Sequence, residues 1–389
     1  MATSTASSTL PTPGVRLATI GGVPVYIGRS WPIVAVIVMA LYAPGISADR
    51  PDLGWRAYLV ALAFAVLLLI SVLAHEAAHA VVATRLGYRV NRVVADLLGG
   101  HTAYDSSAAR PGASALVAIA GPAANGLLAV AGWVVIPSID GDIAYLLVTA
   151  VVLSNAFVAI FNMLPGLPLD GGFLVDSLVW RITGSRESGL IAAGWSGRIV
   201  TVLVVLWFLG VPLLSGRPPD LFSIGWTLFI GTFLWSGATN AIRAGRAGRL
   251  LAGIRIDSVL RPVALLPAHA SAAQAAALRA SRPDATIVIV EDDEGRAIGL
   301  LDDQALLTIP EQSRAGVTVT GVMLRQPGDW VVDAAPDQSI ATVVIVMQQQ
   351  GISAVPVRGP DGGIAGIVLA SDLEAALSRR PAPPSAPPL

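Results

Sequence analysis

The sequence contains no cysteine and no lysine, and it has few charged side chains of either sign. Of its 389 residues 54% are hydrophobic and 13% are charged, whereas soluble proteins carry roughly 25% charged residues. The absence of cysteine excludes disulfides, thiolate nucleophiles, cysteine-bound zinc and iron–sulfur clusters. A metal ion would therefore have to bind His, Asp or Glu. The four histidines are His75, His79, His101 and His269.

The charge that is present is unevenly distributed. Residues 1–253 contain 15 Arg and 11 acidic residues, whereas residues 254–389 contain 10 Arg and 15 acidic residues. No basic tract stands out, so the sequence does not favour nucleic acid as a partner. The pattern is typical of a membrane body followed by an acidic, soluble tail.

Six stretches approach the roughly 20 apolar residues that a membrane-spanning helix needs. They cover 30–47, 57–84, 113–137, 143–164, 189–214 and 221–242. Arginines cluster after the second, fourth and sixth stretches and are rare in the other loops. The positive-inside rule then places both termini and the tail in the cytoplasm. We therefore predict a multi-pass α-helical protein of the plasma membrane with six spans and a cytoplasmic α/β tail.

The tail contains an internal repeat. Residues 285–306 (ATIVIVEDDEGRAIGLLDDQAL) echo residues 353–373 (SAVPVRGPDGGIAGIVLASDL), and each copy predicts a strand, an acidic-glycine turn, a strand and a helix. Such half-units bury their apolar faces against one another. The expected organisation is a disordered segment 1–13, a membrane domain 14–253 opening on a hairpin at 14–29, tail domains 254–312 and 313–378, and a disordered Pro-rich end 379–389.

The second span continues into a motif with metal-ligand spacing. His75 and His79 are four residues apart, which puts both imidazoles on one helix face, and Glu76 follows the first histidine. This is the His-Glu-x-x-His pattern of zinc hydrolases, in which the Glu is the general base. The alternative is a polar cluster that packs against other spans. Three ionisable groups in an apolar helix favour a functional site.

A second motif follows the fourth span and provides a further ligand. The segment 162–172 (NMLPGLPLDGG) contains two prolines and three glycines, which break the helix near the membrane surface. Irregular backbone at membrane depth is tolerated where it is buried in protein or lines a cavity. Asp170 in this turn can complete a zinc site of two imidazoles and one carboxylate. The alternative is a solvated Asp in an ordinary interfacial turn.

The two remaining histidines carry weaker signals. His101 follows Gly99-Gly100 in the segment between the second and third spans, where it can approach the site or occupy a loop without binding metal. His269 lies in the tail and is expected at the surface.

At these motifs the chain resembles the site-2 protease family of intramembrane zinc metalloproteases (peptidase M50). The similarity covers HEAAH (75–79), GPAAN (121–125) and NMLPGLPLDGG (162–172), and GGVPVYIGRSW (21–31) is similar to the family's opening hairpin. The resemblance implies that His75, His79 and Asp170 bind one zinc ion per chain and that Glu76 is the base. It also implies that Asn162 steadies the substrate carbonyl, although this residue could instead cap the broken helix. Segment 96–104 matches a membrane-embedded segment that pairs with extended substrate.

The tail resembles a pair of CBS domains, which implies a homodimer and adenosine-nucleotide binding through a Gly-h-h-Thr/Ser-x-x-Asp pattern. The second copy keeps the acidic residue as Asp372 but has Leu369 at the hydroxyl position, and the first copy has Asp302 and Ala305 at these places. Regulation, docking and dimerisation are therefore open alternatives for the tail.

The expected function is hydrolysis of peptide bonds within or near transmembrane segments of membrane-bound regulators, such as anti-sigma or pro-sigma factors. One alternative is a channel or transporter regulated by the CBS pair, which leaves the spacing of Glu76 unexplained. Another is a catalytically idle membrane scaffold.

Overall fold

The computed structural model describes residues 14–378 except 21, 97–98, 105–108 and 286. The predicted disordered ends, 1–13 and 379–389, lie outside the described residues. The chain divides into two compact units, Met1–Arg246 and Ala247–Leu389. Each unit has its own core.

Long apolar helices dominate the first unit. Within the described residues, six helical segments are long and apolar enough to cross a membrane, which confirms the predicted number. They are α1 (Trp31–Asp49), α2 (Arg56–Arg85), α3 (Pro111–Val135, with a 3-10 turn to Ser138), α4 (Asp142–Asn162), α6 with α7 (Arg186–Val205 and Val211–Leu214, joined by a π-helical turn Leu206–Gly210) and α8 (Leu221–Ala252). The last helix continues ten residues beyond the predicted sixth span and includes Arg243, Arg246 and Arg249.

A four-stranded sheet packs beside α2. Its strands are β1 (Gly14–Ile20), β2 (Val23–Gly28), β3 (Val90–Asp96) and β4 (Gly99–Tyr104), in the order β1-β2-β3-β4. The first two strands form the expected hairpin, and β2 pairs in parallel with β3. Val25 and Val93 pack against Ala80 of α2, so an apolar cluster joins the sheet to the helix that carries both motif histidines. Strand β4 is at one edge of this sheet.

A short helix that the sequence pattern does not predict follows the broken end of α4. Helix α5 (Asp170–Thr183) begins at Asp170, after the Pro- and Gly-rich turn. Its C-terminal cap, Gly184, has a φ of 72°, a left-handed conformation that glycine adopts without strain. Asp170 is thus the first residue of a helix rather than part of the turn itself.

The tail consists of two similar halves. The first has strands β5 (Val263–Pro267), β6 (Ile287–Glu291), β7 (Ala297–Leu301) and β8 (Met323–Arg325) with helices α9 (Ala272–Ser281) and α10 (Asp303–Thr308). The second has β9 (Val332–Asp333), β10 (Ala354–Arg358) and β11 (Ile364–Leu369) with α11 (Ala341–Gln350) and α12 (Ala370–Ser378). These elements confirm the α/β tail. The indole of Trp330, which is fully buried, donates to the Ala297 carbonyl (2.8 Å) within an apolar cluster that joins the two halves.

Candidate metal centre and active site

Helix α2 places three ionisable side chains together in the interior. His75, Glu76 and His79 are 7%, 5% and 8% exposed, although they lie in an apolar helix. The two Nε2 atoms are 3.1 Å apart, and one ligand atom from each of the three residues lies within 4.8 Å of the other two. The four-residue spacing therefore produces the convergence that the sequence predicts.

Both imidazoles are oriented by acceptors on α3. His75 Nδ1 donates to Asn125 Oδ1 (2.9 Å), and His79 Nδ1 donates to the Val117 carbonyl (2.7 Å). A carbonyl oxygen can only accept, so these contacts put the proton of each neutral ring on Nδ1 and leave a lone pair on Nε2. Acceptors of this kind commonly orient metal-binding histidines. Two lone pairs that face each other at 3.1 Å repel, and a cation between them would remove that repulsion.

Helix α3 approaches these rings so closely that it needs a glycine. A Cβ added to Gly121 would lie 2.3 Å from His79 Nε2 and 2.4 Å from His75 Nε2. No side chain fits there, because carbon and nitrogen atoms in contact are normally more than 3 Å apart. Gly121 therefore keeps the space beside both Nε2 atoms open.

The carboxylate of Asp170 completes the group. Its Oδ2 lies 3.1 Å from His75 Nε2 and its Oδ1 lies 3.5 Å from His79 Nε2. Oδ2 is buried and finds no hydrogen-bond donor among the described residues. The side chain is only 18% exposed, so it is not the solvated Asp of the alternative interpretation. Two imidazoles and a carboxylate around one point are a donor set that suits a catalytic zinc ion, whose fourth position stays open.

Close backbone packing fixes the turn that precedes Asp170. The Leu167 N–H donates to the Ala193 carbonyl of α6 (3.2 Å), and the Ser196 hydroxyl donates to the Pro165 carbonyl. A Cβ on Gly197 would lie 2.1 Å from the Leu167 carbonyl oxygen, and one on Gly166 would lie 2.4 Å from the Gly197 Cα. The glycines allow α6 to contact the turn directly and so determine where α5 begins.

Two of the three ligand candidates, His75 and Asp170, line a cavity of about 250 Å³. Glu76 and Asn162 both line it, together with apolar side chains and a few polar ones. Asn162 is the last residue of α4. Asn162 lines the cavity, and its contact with substrate stays a prediction.

The remaining sequence candidates lie elsewhere or are not described. The backbone of His101 lies in β4, while its side chain is outside the part of the chain that the structure describes. His269 is a surface residue, as expected, and its side chain is 75% exposed. Its Nδ1 lies 3.4 Å from Asp293 Oδ1.

In the tail, Asp372 accepts two hydrogen bonds from the guanidinium of Arg261, one of them 2.6 Å long. It lines a small cavity of about 190 Å³ that also includes Ser258. A ribose would have to compete with Arg261 for this carboxylate. Nucleotide binding at Asp372 stays a prediction.

Sequence reasoning missed the α3 contribution to the site. The motif GPAAN contains both Gly121 and Asn125. The local sequence does not show that Gly121 lies against two imidazoles or that Asn125 accepts a hydrogen bond from one of them. Each contact joins residues more than 40 positions apart.

Two family models match segments of this chain. Residues 63–142 and 137–206 match the model of peptidase family M50, and residues 331–379 match the CBS domain. The first segment includes His75, Glu76 and His79, and the second includes Asp170.

Curated relatives extend over most of the chain. A provisionally named zinc metalloprotease of Synechocystis sp. is 28% identical over 91% of this chain and 93% of its own length. The provisionally named zinc metalloprotease Rip3 of Mycobacterium tuberculosis is 29% identical over 86% of this chain and 84% of its own length. The solved site-2 protease from Methanocaldococcus jannaschii is 21% identical, with a TM-score of 0.40, over 59% of this chain and 94% of its own.

The motif residues, the six apolar helices and the family matches agree with one another. They confirm the resemblance noted in the sequence, and the family implies zinc as the metal. The chain is a multi-pass membrane protein whose residues 63–206 are similar to peptidase family M50 and whose tail carries a CBS domain, and these similarities support a zinc metallopeptidase.

Proposed function

We propose that this chain hydrolyses a peptide bond within or near a transmembrane segment of a membrane-bound regulatory protein, such as an anti-sigma or pro-sigma factor. The observation that carries the proposal is the convergence of two imidazoles, a carboxylate and a buried Glu inside a group of apolar helices. Water and a charged site are needed for hydrolysis, and apolar helices bury such a site only at a cost. A transmembrane substrate explains why the site lies there.

We assign His75, His79 and Asp170 as the ligands of one zinc ion per chain. A zinc ion held by these residues would lower the pKa of water to about 7 and polarise the scissile carbonyl. Glu76, which lines the same cavity, takes the proton of the attacking water and delivers it to the leaving amine. Asn162 donates its amide N–H to the scissile carbonyl oxygen as negative charge develops there.

The substrate must unwind before it is cut, because an intact helix shields its carbonyls. Strand β4 is an edge strand of the four-stranded sheet in the described part of the chain. An unwound segment can pair with it by β-strand addition, which satisfies backbone groups that would otherwise be exposed to lipid.

We also propose that both termini and the tail face the cytoplasm of a cell-membrane protein and that the CBS pair supports regulation, docking or homodimerisation. The arginines that follow the second, fourth and sixth spans support the orientation. The pairing of Arg261 with Asp372 favours docking or dimerisation over nucleotide sensing.

The substitution Glu76→Gln tests the reaction. It keeps the shape of the side chain but removes the base, so cleavage should fall by about 10²- to 10⁴-fold while zinc content stays the same. Quantitative membrane proteomics of cells with wild-type protein or the variant should show one or more membrane proteins that accumulate uncut only with the variant. Metal analysis of the purified proteins is the control.

Cleavage by the Glu76→Gln variant at the wild-type rate would overturn the proposal. Identical proteomes for the two strains would favour an idle scaffold. A chain that lacks zinc and conducts ions would favour the channel.

A further inference from the structure

A second polar pair lies in the active-site cavity, away from the metal ligands. Ser71 of α2 and Asn155 of α4 are 6% and 1% exposed, and both line the cavity that contains His75 and Glu76. Each lies in the middle of an apolar helix. The reaction described above uses neither of them.

The hydrogen bonds of this pair determine the orientation of the Asn155 amide. Its Nδ2 donates to the Val151 carbonyl (2.9 Å) and to Ser71 Oγ (3.0 Å). Ser71 Oγ in turn donates to the Leu67 carbonyl (3.0 Å). Since a carbonyl oxygen can only accept, the Asn155 nitrogen must face Val151, and both of its protons are used.

This orientation leaves the carbonyl oxygen of the side chain without a partner. Asn155 Oδ1 is buried and has no hydrogen-bond donor among the described residues. Buried polar atoms are nearly always hydrogen-bonded, and one that is not needs an explanation. Here the unpartnered acceptor belongs to a residue of the cavity wall, so a ligand in the cavity can supply the missing donor.

The spacing along the helices fits an extended peptide. Asn155 precedes Asn162 by seven residues, or two turns of α4, so the two residues share a face and are roughly 10.5 Å apart along the helix axis. An extended chain rises about 3.3 Å per residue, so about three residues cover that distance. Ser71 precedes His75 by one turn of α2, which places the pair about 6 Å along that helix from the metal ligands.

We propose that Asn155 Oδ1 accepts a hydrogen bond from a backbone N–H of the unwound substrate, two or three residues from the scissile bond, and that Ser71 holds the amide in position. The inference rests on the proposed function. Transmembrane segments have mostly apolar side chains, so the donor that every such substrate provides is its backbone N–H. Once helical bonds are broken, that donor needs an acceptor inside an apolar cavity.

The test uses a peptide hydroxamate, whose hydroxamate group binds catalytic zinc, and three analogues N-methylated at the first, second or third backbone amide from that group. For the wild-type protein in detergent, methylation of the second or third amide should raise Kd by about 3- to 10-fold, the value of one hydrogen bond. In Asn155→Leu the same methylation should change Kd by less than about 2-fold. Zinc content should stay at the wild-type level.

Two further variants distinguish loss of the Asn155 hydrogen bond from a general structural effect of the substitution. Ser71→Ala leaves Oδ1 in place but loosens the amide, so it should reduce the methylation effect without removing it. Thr149→Val is the matched control, because Thr149 Oγ1 is also a buried unpartnered atom of α4 but is not part of the cavity wall. It should keep the full wild-type pattern.

An equal methylation effect in wild type and Asn155→Leu overturns the inference, and so does the absence of any effect in wild type, which would indicate that a buried water satisfies Oδ1. These results leave the proposed function intact. If the parent hydroxamate does not bind the wild-type protein, the zinc site itself is wrong, and the inference falls with it.

Discussion

At the scale of single residues, the candidate metal centre depends on the missing side chain of a glycine as well as on the ligand side chains. The ligand motif supplies the imidazoles, but Gly121 supplies the space in front of them. Asn125 and the Val117 carbonyl then determine which nitrogen of each ring carries the proton. The three contacts come from one helix, α3, so the site is formed between α2 and α3.

Replacement of Gly121 by Ala should abolish zinc binding. The new Cβ would overlap both Nε2 atoms, so at least one ring must leave the position that suits the metal. Zinc per chain, measured by elemental analysis of purified protein, should fall from one to near zero. Gly126→Ala is the matched control, because it adds the same methyl group to α3 with no atom within 4 Å. A Gly121→Ala protein with a full zinc complement would contradict this view of the site.

At the scale of elements, the position of Asp170 depends on how α6 packs against the turn before α5. The sequence predicts that α4 breaks after Asn162, because two prolines and several glycines follow. It does not predict that the chain forms a new helix at Asp170, since the turn that precedes α5 is held by contacts with α6, which is distant in sequence. Gly197 and Gly166 bring two backbones into direct contact at this point.

The substitution Gly197→Ala should displace the turn and weaken zinc binding. Its Cβ would meet the Leu167 carbonyl oxygen at 2.1 Å, and neither atom can move away by rotating a side chain. We expect a lower melting temperature and at least a tenfold loss of zinc affinity, measured by thermal unfolding and by competition with a chelator. Gly225→Ala in α8 should leave both quantities unchanged, because nothing lies within 4 Å of its Cβ. Unchanged zinc affinity in Gly197→Ala would mean that the turn adapts.

The tail illustrates what a repeat predicts at this scale. Gly299 and Gly366 occupy equivalent positions in the two copies, and a Cβ on either would lie 2.6–2.7 Å from a carbonyl oxygen of a neighbouring segment. A glycine therefore recurs at this position of the repeat because the backbone of a neighbouring segment lies close to it in both halves. The match of residues 331–379 to the CBS domain includes the second of these glycines.

At the scale of the whole molecule, an ion pair between two helix ends is compatible with the predicted topology. Arg50 follows α1 and its guanidinium contacts Asp142 at the start of α4 (2.7 Å). With an N-terminus in the cytoplasm, the first helix ends and the fourth begins on the outer side of the membrane. The ion pair therefore joins two ends that the predicted topology places on the same side.

Because the chain lacks cysteine, single-cysteine labelling can test this topology directly. Asp140→Cys lies in the exposed connection before α4, and Gln349→Cys lies on the exposed surface of α11. A membrane-impermeant maleimide applied to intact cells should label the first variant. The second should react only after the membrane is permeabilised. The wild-type chain is the control, since it should not react at all. The reverse pattern would show that the tail is outside.

The sequence alone determined the properties that depend on local order. Apolar length specified six spanning helices, and a four-residue spacing placed His75 and His79 on one face, because helical periodicity needs no tertiary contact. Tertiary structure decided how distant segments meet. It brought Asp170 to the imidazoles, placed Gly121 and Asn125 against them, and left Oδ1 of the cavity residue Asn155 without a partner among the described residues. These features depend on which helices pack together and how closely, and no single segment contains that information.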